Sequence, residues 1–184
     1  MGVALYGGAF DPPHLGHVAV AAAARERFGV ERLLVLVSER PAHRAVHASG
    51  EDRLALAQAA FPRDDVRLDQ HPRTVELLRD AGFDDSVFVV GADQFRGFLG
   101  WSEPDEILEL TRLGVATRPG FPRDELEHVL AELARPERVI FFEIEPNSAA
   151  STDVRARAAA GEPLDELVPP AVASLIRERG LYRP

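Results

Sequence analysis

Near its beginning, between an apolar run and an Ala-rich run, the chain reads Gly7-Gly8-Ala9-Phe10-Asp11-Pro12-Pro13-His14-Leu15-Gly16-His17. The apolar run, residues 3–6, predicts a buried strand, and the Ala-rich run, Leu15–Phe28, predicts a helix that ends at Gly29. Glycines after a strand let the backbone approach a ligand closely, and a helix start offers free N–H groups and a positive dipole end. This combination predicts a binding site for a phosphate or another anion.

Two histidines lie in this turn. His14 and His17 are three residues apart, so both project from one face of the first helical turn, and Gly16 between them leaves room for a nucleotide. The alternative is an ordinary helix start with Asp11 as its cap and two incidental histidines. The turn lacks the GxxxxGK[ST] lysine and the GxGxxG spacing, which excludes a Walker-type NTPase and the usual dinucleotide-binding dehydrogenase.

The same alternation of strand and helix continues along the chain. Near-continuous apolar strands that alternate with helices predict an α/β protein with a mostly parallel sheet covered on both faces, which binds ligands at the carboxyl ends of its strands. The longest predicted loop, residues 38–49, is locally basic. Further strands are predicted at residues 33–37, 66–68, 87–90, 113–116 and 139–144, and further helices at Gly50–Ala60, 75–80, 105–110 and 123–133, with helices closing the chain.

Composition narrows the class of protein. The 184 residues carry a net charge of -9, which disfavours nucleic-acid and membrane partners, and they contain no cysteine, which excludes disulfides, thiolate nucleophiles and Fe–S clusters. All 21 basic residues are arginines, so Schiff-base chemistry on a lysine is excluded. We expect a single domain, residues 1–184, in the cytoplasm, with a helical part at 146–184.

That helical part carries a second polar cluster. Residues 147–155 read Asn-Ser-Ala-Ala-Ser-Thr-Asp-Val-Arg, between the last predicted strand and a helix. The hydroxyls of Ser151 and Thr152 and the guanidinium of Arg155 suit phosphate oxygens. The alternative is an ordinary helix cap with an exposed arginine. The first turn favours the phosphate site, since both segments follow the carboxyl ends of strands.

The first turn matches the HxGH signature of the nucleotidyltransferase superfamily, and the whole chain resembles the bacterial nicotinate-mononucleotide adenylyltransferases. The resemblance implies a Rossmann-like nucleotidyltransferase fold. It is carried by Gly7–His17 and by Pro41-Ala42-His43-Arg44, Thr74-Val75, Gly91-Ala92-Asp93, Trp101 with Pro104 and Glu106-Ile107, Arg118-Pro119-Gly120, Ser151-Thr152 with Arg155, Leu167-Val168-Pro169 and Gly180-Leu181-Tyr182.

This resemblance implies in-line attack by the phosphate of nicotinate mononucleotide on the α-phosphorus of ATP, which gives deamido-NAD and pyrophosphate. Mg²⁺ would be bound mainly through the ATP phosphates, with no dedicated metal site in the protein. The catalytic residues implied are His14, His17 and Arg155. The ATP-binding residues implied are Gly7, Gly8, Ala9, Phe10, His14, Gly16, His17, Arg118, Ser151, Thr152 and Arg155.

For the acceptor, the resemblance implies that Trp101 stacks on the pyridine ring, Asp93 binds ribose hydroxyls, Thr74 binds the nicotinate carboxylate and Arg44 faces the phosphate. The alternatives are a core tryptophan, helix caps at Asp93 and Thr74, and a solvated loop cation. For Arg118, near adenine, the alternative is a simple turn.

The sequence departs from the family pattern at three places. Ala150 replaces the usual serine, Arg44 replaces the usual lysine, and residues 71–73, His-Pro-Arg, lack the usual tyrosine. Nicotinamide mononucleotide or phosphopantetheine as acceptor, and a non-catalytic nucleotide-binding protein, are therefore alternative functions. The closing helix leaves a homo-oligomer open.

Overall fold

The computed structural model describes residues 2–41, 45–83, 85–118 and 123–183. In this part of the chain, strands and helices alternate. The strands are β1 (Ala4–Gly8), β2 (Leu33–Ser38), β3 (Asp65–Asp69), β4 (Val87–Gly91), β5 (Arg112–Thr117) and β6 (Val139–Glu143). The helices are α1 (Leu15–Phe28), α2 (Gly50–Ala60), α3 (Thr74–Ala81), α4 (Ala92–Arg96), α5 (Pro104–Leu110), α6 (Arg123–Glu132), α7 (Ser151–Ala160) and α8 (Pro170–Arg179).

The strands pair in parallel in the order β3-β2-β1-β4-β5-β6. Ala4 of β1 lies beside Leu33 of β2 on one side and Val87 of β4 on the other. The strand order therefore reverses between β1 and β4. Parallel sheets bind their ligands at the carboxyl ends of the strands on either side of such a reversal.

The sheet separates two apolar clusters, because successive side chains of a strand point to opposite faces. Tyr6 and Val35 pack into one cluster with α1, α2, α7 and α8, which we call the first layer. Leu5 and Leu36 pack into the other with α3, α4, α5 and α6, the second layer. Both faces of the sheet are thus covered, as the apolar strands predict.

The predicted elements are confirmed, most closely in the first layer. Helices α1 and α2 have the predicted bounds: α1 ends at Gly29 in the left-handed conformation, with φ 63°, and α2 begins after Ser49, whose hydroxyl accepts from the Asp52 amide. Helix α4 and the 3-10 helices Phe98–Gly100 and Pro136–Arg138 are not predicted by the sequence analysis. No helix among the described residues is long and apolar enough to cross a bilayer. The single domain stays a prediction.

Candidate active site at the start of the first helix

The turn between β1 and α1 needs its two glycines because aromatic rings pack closely against both. A Cβ atom at Gly7 would lie 2.7 Å from Cζ of Phe88, and one at Gly8 would lie 3.0 Å from Cζ of Phe10. Phe10 has a φ of 47° and is only 2% exposed, with its ring in the first-layer core against Phe61. Any contact between Phe10 and a nucleotide is therefore left to its backbone.

His14 and His17 form one compact pair. Their ring centroids are 3.7 Å apart, and the backbone N–H of His14 donates to Nδ1 of His17 over 3.1 Å. Since this Nδ1 is an acceptor, the neutral His17 ring carries its proton on Nε2. His14, and not Asp11, is the residue before the first turn of α1, so the alternative of Asp11 as a helix cap is wrong.

Gly16 seats the ring of His14. A Cβ atom at Gly16 would lie 2.9 Å from Cε1 and from Nδ1 of His14, closer than real Cβ atoms approach. The space beside Gly16 that the sequence analysis assigned to a nucleotide is thus filled by this imidazole. In turn, the close approach fixes the ring of His14 against His17.

Burial and a nearby positive charge keep the His14 ring neutral. Burial lowers the pKa of His14 to about 4, the charge of Arg118 lowers it further, and Asp153 acts in the opposite direction. Arg118 follows the carboxyl end of β5 and is exposed. Its influence on His14 brings this residue of the third motif to the same place as the HxGH turn.

The second polar cluster closes on the same turn. The Ser151 hydroxyl donates to the Pro12 carbonyl over 2.8 Å, and Nη1 of Arg155 donates to the Asp11 carbonyl over 2.7 Å. Nη2 of Arg155 also lies 3.4 Å from the Thr152 hydroxyl. Arg155 is half-buried, so the alternative of an exposed, incidental arginine is wrong.

Helix α7 begins without a side-chain cap. Ala150, where the family pattern has serine, occupies the capping position and makes no side-chain bond to the first turn. The alternative of an ordinary side-chain cap is wrong here. The exposed start of α7 keeps N–H groups for an anion, since no side chain competes for them.

The predicted acceptor residues lie in or beside the second layer. Thr74 is the first residue of α3, after Arg73 in the capping position, and Asp93 is exposed in the first turn of α4, after Gly91. The helix-cap alternatives for Thr74 and Asp93 are therefore wrong. Half-buried Trp101 packs on Phe98, with centroids 5.3 Å apart. Arg44, with Ala42 and His43, and Pro119 with Gly120 lie outside the described residues.

The departure at residues 71–73 has a structural role. His71 follows β3, and its ring nitrogens lie 2.7 Å from Asp69 Oδ1 and 3.1 Å from Asp80 Oδ2. The hydrogen bond to Asp69 is the main cause that raises the pKa of His71 above its ordinary value. The imidazole therefore joins the end of β3 to the last turn of α3 and so supports the helix that begins at Thr74.

Comparison with known proteins places this arrangement in a family. A family model described as Cytidylyltransferase-like matches residues 5–157. A protein of Rubrobacter xylanophilus named "Probable nicotinate-nucleotide adenylyltransferase" is 34% identical over 198 aligned residues, which cover 100% of this chain and 92% of that protein. This chain belongs to the nicotinate-nucleotide adenylyltransferase family.

Further members of the adenylyltransferase family agree with this assignment. A Thermus thermophilus protein of the same name is 35% identical over 195 residues, with 100% of both chains covered. A solved structure of the Plasmodium falciparum nicotinic acid mononucleotide adenylyltransferase complexed with NaAD has a TM-score of 0.78 at 15% identity and covers 98% of this chain and 96% of that one. That likeness confirms the predicted Rossmann-like nucleotidyltransferase fold, and the full-length identities confirm the predicted family.

Sequence reasoning missed three residues beneath this adenylyltransferase site. Asp11 and Arg53 are buried at 4% and 1% exposure, and the hydroxyl of Tyr182 bonds to Asp11. Asp11 was considered only as a cap, and neither of the other two was considered as a site residue. The one available signal was an arginine at a position where α2 faces the core.

Proposed function

We propose that this chain transfers the adenylyl group of ATP to nicotinate mononucleotide, which gives deamido-NAD and pyrophosphate in NAD biosynthesis. The observation that carries the proposal is the joining of the two predicted phosphate motifs, through the bonds of Ser151 and Arg155 to the turn before His14. The names of the full-length relatives support the same reaction.

The acceptor's phosphate oxygen forms the new bond to the α-phosphorus of ATP, and the bond from this phosphorus to the pyrophosphate oxygen breaks. Catalysis then consists of positioning and of stabilising the negative charge that grows on the phosphoryl oxygens. The imidazoles of His14 and His17 flank the start of α1, where the helix dipole adds to their N–H donors. The backbone of residues 7–10 and of Gly16 lines the approach of the ATP phosphates.

The β- and γ-phosphates are assigned to the start of α7. Because the Ser151 hydroxyl already donates to the Pro12 carbonyl, its single proton is engaged, and the backbone N–H groups and the Thr152 hydroxyl take up the phosphate. Arg155 has five N–H donors, so it binds a phosphate oxygen while it holds the Asp11 carbonyl.

Magnesium enters this proposal as part of the substrate, MgATP. Mg²⁺ prefers oxygen ligands and keeps several waters, whereas the side chains at the turn are mainly imidazole, guanidinium and hydroxyl. The nearby Asp11 carboxylate is buried and engaged by the amides of His47 and Ala48. The ATP phosphates therefore supply the ligands. A cytoplasmic location belongs to the same proposal.

The acceptor side is assigned to the second layer. Trp101 offers a half-buried indole face to the pyridine ring, and exposed Asp93 offers a carboxylate to the ribose hydroxyls. Thr74, at the start of α3, offers its hydroxyl and backbone amide to the nicotinate carboxylate. Arg44 completes the assignment as the cation for the acceptor phosphate, and Arg118 lies on the adenine side.

The proposal is tested by pyrophosphate release from MgATP with nicotinate mononucleotide, nicotinamide mononucleotide or phosphopantetheine as acceptor. The dinucleotide product is identified by its mass, and reactions without acceptor serve as the control. We expect a strong preference for nicotinate mononucleotide. A preference for another acceptor would contradict the assignment of the pyridine pocket, and ATP binding without turnover would contradict catalysis.

A further inference from the structure

Two charged residues are buried beneath the phosphate-binding turn. Among the described residues, the buried polar side chains are Asp11, Arg53, Ser86 and Thr111. Ser86 and Thr111 bond to each other over 2.6 Å. Asp11 and Arg53 instead bond to backbone groups of several segments. Burying a charge is unfavourable unless it is fully hydrogen-bonded, so these bonds constrain the segments that make them.

Arg53, on α2, binds carbonyl oxygens from both sides of the sheet's centre. Its Nη1 donates to Ala9 over 2.9 Å and to Ser38 over 2.6 Å, and its Nη2 donates to Glu39 over 2.8 Å. Its Nε donates to Ala48 over 3.2 Å. One planar guanidinium thus joins the turn after β1, the end of β2 and the segment that leads into α2.

Asp11 makes the complementary set of bonds. Its carboxylate accepts from the amides of His47, over 2.7 Å, and Ala48, over 3.1 Å, and from the Tyr182 hydroxyl over 2.9 Å. Burial raises the pKa of this carboxyl, and its hydrogen bonds, first those from His47 and Ala48, bring the pKa below its ordinary value. The carboxylate is therefore charged when it holds this segment.

Together these bonds fix both ends of the loop between β2 and α2. Arg53 holds the loop's first residues, at Ser38 and Glu39, and Asp11 and Arg53 hold its last, at His47 and Ala48. Both ends are fixed against the turn that carries His14. In an in-line displacement the reacting atoms must meet at about 3–3.5 Å, so the relative placement of the two phosphate-binding segments controls the rate.

We propose that Arg53 and Tyr182 are positioning residues for adenylyl transfer, which hold the base of the β2–α2 loop against the HxGH turn through the turn's own Ala9 carbonyl and Asp11 carboxylate. This inference rests on the proposed function, because it concerns the alignment of the two substrates. Tyr182 contributes one hydroxyl from the far end of the chain, 171 residues from Asp11. Neither residue touches the reacting atoms.

The test compares steady-state kinetics and thermal unfolding of the full chain with those of Tyr182→Phe and Arg53→Lys, with MgATP and nicotinate mononucleotide as substrates. We expect Tyr182→Phe to lower kcat by about tenfold, because a sub-ångström misplacement of reacting groups is costly. The KM for ATP should stay within about twofold, because the phosphate-binding groups themselves remain. Arg53→Lys, which keeps the charge but not the planar fork, should lower kcat further.

Arg179→Ala is the matched control. Nη1 of Arg179 donates to Asp52 over 2.7 Å, so this variant also loosens the contact between α8 and α2 but leaves Asp11 untouched. Its kcat should equal that of the unmodified chain. An unchanged kcat in Tyr182→Phe, or a raised KM for ATP with unchanged kcat, would overturn the inference. If Arg53→Lys fails to fold, Tyr182→Phe alone decides, and an unmodified chain inactive on nicotinate mononucleotide would overturn the proposed function instead.

Discussion

Replacement of Gly16 by alanine should separate catalysis from stability. The new Cβ would lie 2.9 Å from two atoms of the His14 ring, so the ring has to move by about 0.5 Å to restore ordinary van der Waals contact. Alanine gains about 1 kcal/mol in helix propensity, whereas overpacking costs about 1–3 kcal/mol. The net loss of folding free energy should therefore stay below about 2 kcal/mol.

The same displacement should be far more costly for turnover. The moved ring leaves its place 3.7 Å from His17, and misplacement of this size near a reacting centre lowers kcat by about 10- to 100-fold. Pyrophosphate release under saturating MgATP and acceptor measures kcat, and denaturant unfolding measures stability. Gly97→Ala is the control, because its new Cβ would lie 3.7 Å from the nearest atom. Full turnover by Gly16→Ala would refute the view that this glycine exists to seat His14.

Three further outcomes are expected. His17→Ala should lower kcat by about 100-fold or more with little change in the unfolding temperature, and unchanged pyrophosphate release would remove this histidine from the mechanism. The His14 pKa of about 4 lies below the ordinary 6.5, so the unfolded chain binds more protons between these values and His14 reduces stability as pH falls through that window. Unfolding free energies at several pH values should therefore fall by up to about 2–3 kcal/mol more in the unmodified chain than in His14→Gln, and parallel curves would contradict the shift. Ala150→Ser supplies α7 with a capping hydroxyl and should stabilise the chain by about 1 kcal/mol in denaturant unfolding, and no gain would mean that the first turn is already satisfied.

Periodicity and turn residues predict the sheet and most of its helices because the relevant signals are local. Helix α1 is bounded by the histidine turn and Gly29, and α2 by Ser49, and each boundary is set by residues within one turn. Helix α4 was missed because its five residues are too short to show a period. The extended φ and ψ of Arg73 and Gly91, rather than the side chains of Thr74 and Asp93, define the starts of α3 and α4.

The frame beneath the site was beyond sequence reasoning because its partners are distant along the chain. Arg53 bonds to Ala9 across 44 residues, and Tyr182 bonds to Asp11 across 171. A buried arginine that binds only carbonyl oxygens has no complementary charge pattern in the sequence. The HxGH and Ser-Thr-x-x-Arg segments, by contrast, were brought together by a single inference, that both follow the carboxyl ends of parallel strands.

The division of the helices between the two faces of the sheet also bears on how substrate preference can change. The helices assigned to ATP, α1 and α7, come from opposite ends of the chain, whereas the residues assigned to the pyridine nucleotide, Thr74, Asp93 and Trp101, fall within one uninterrupted stretch. Exchange of that single stretch for its counterpart from a relative should retarget the acceptor and leave the nucleotide donor as it is. Retargeting the donor would require coordinated replacements in widely separated segments.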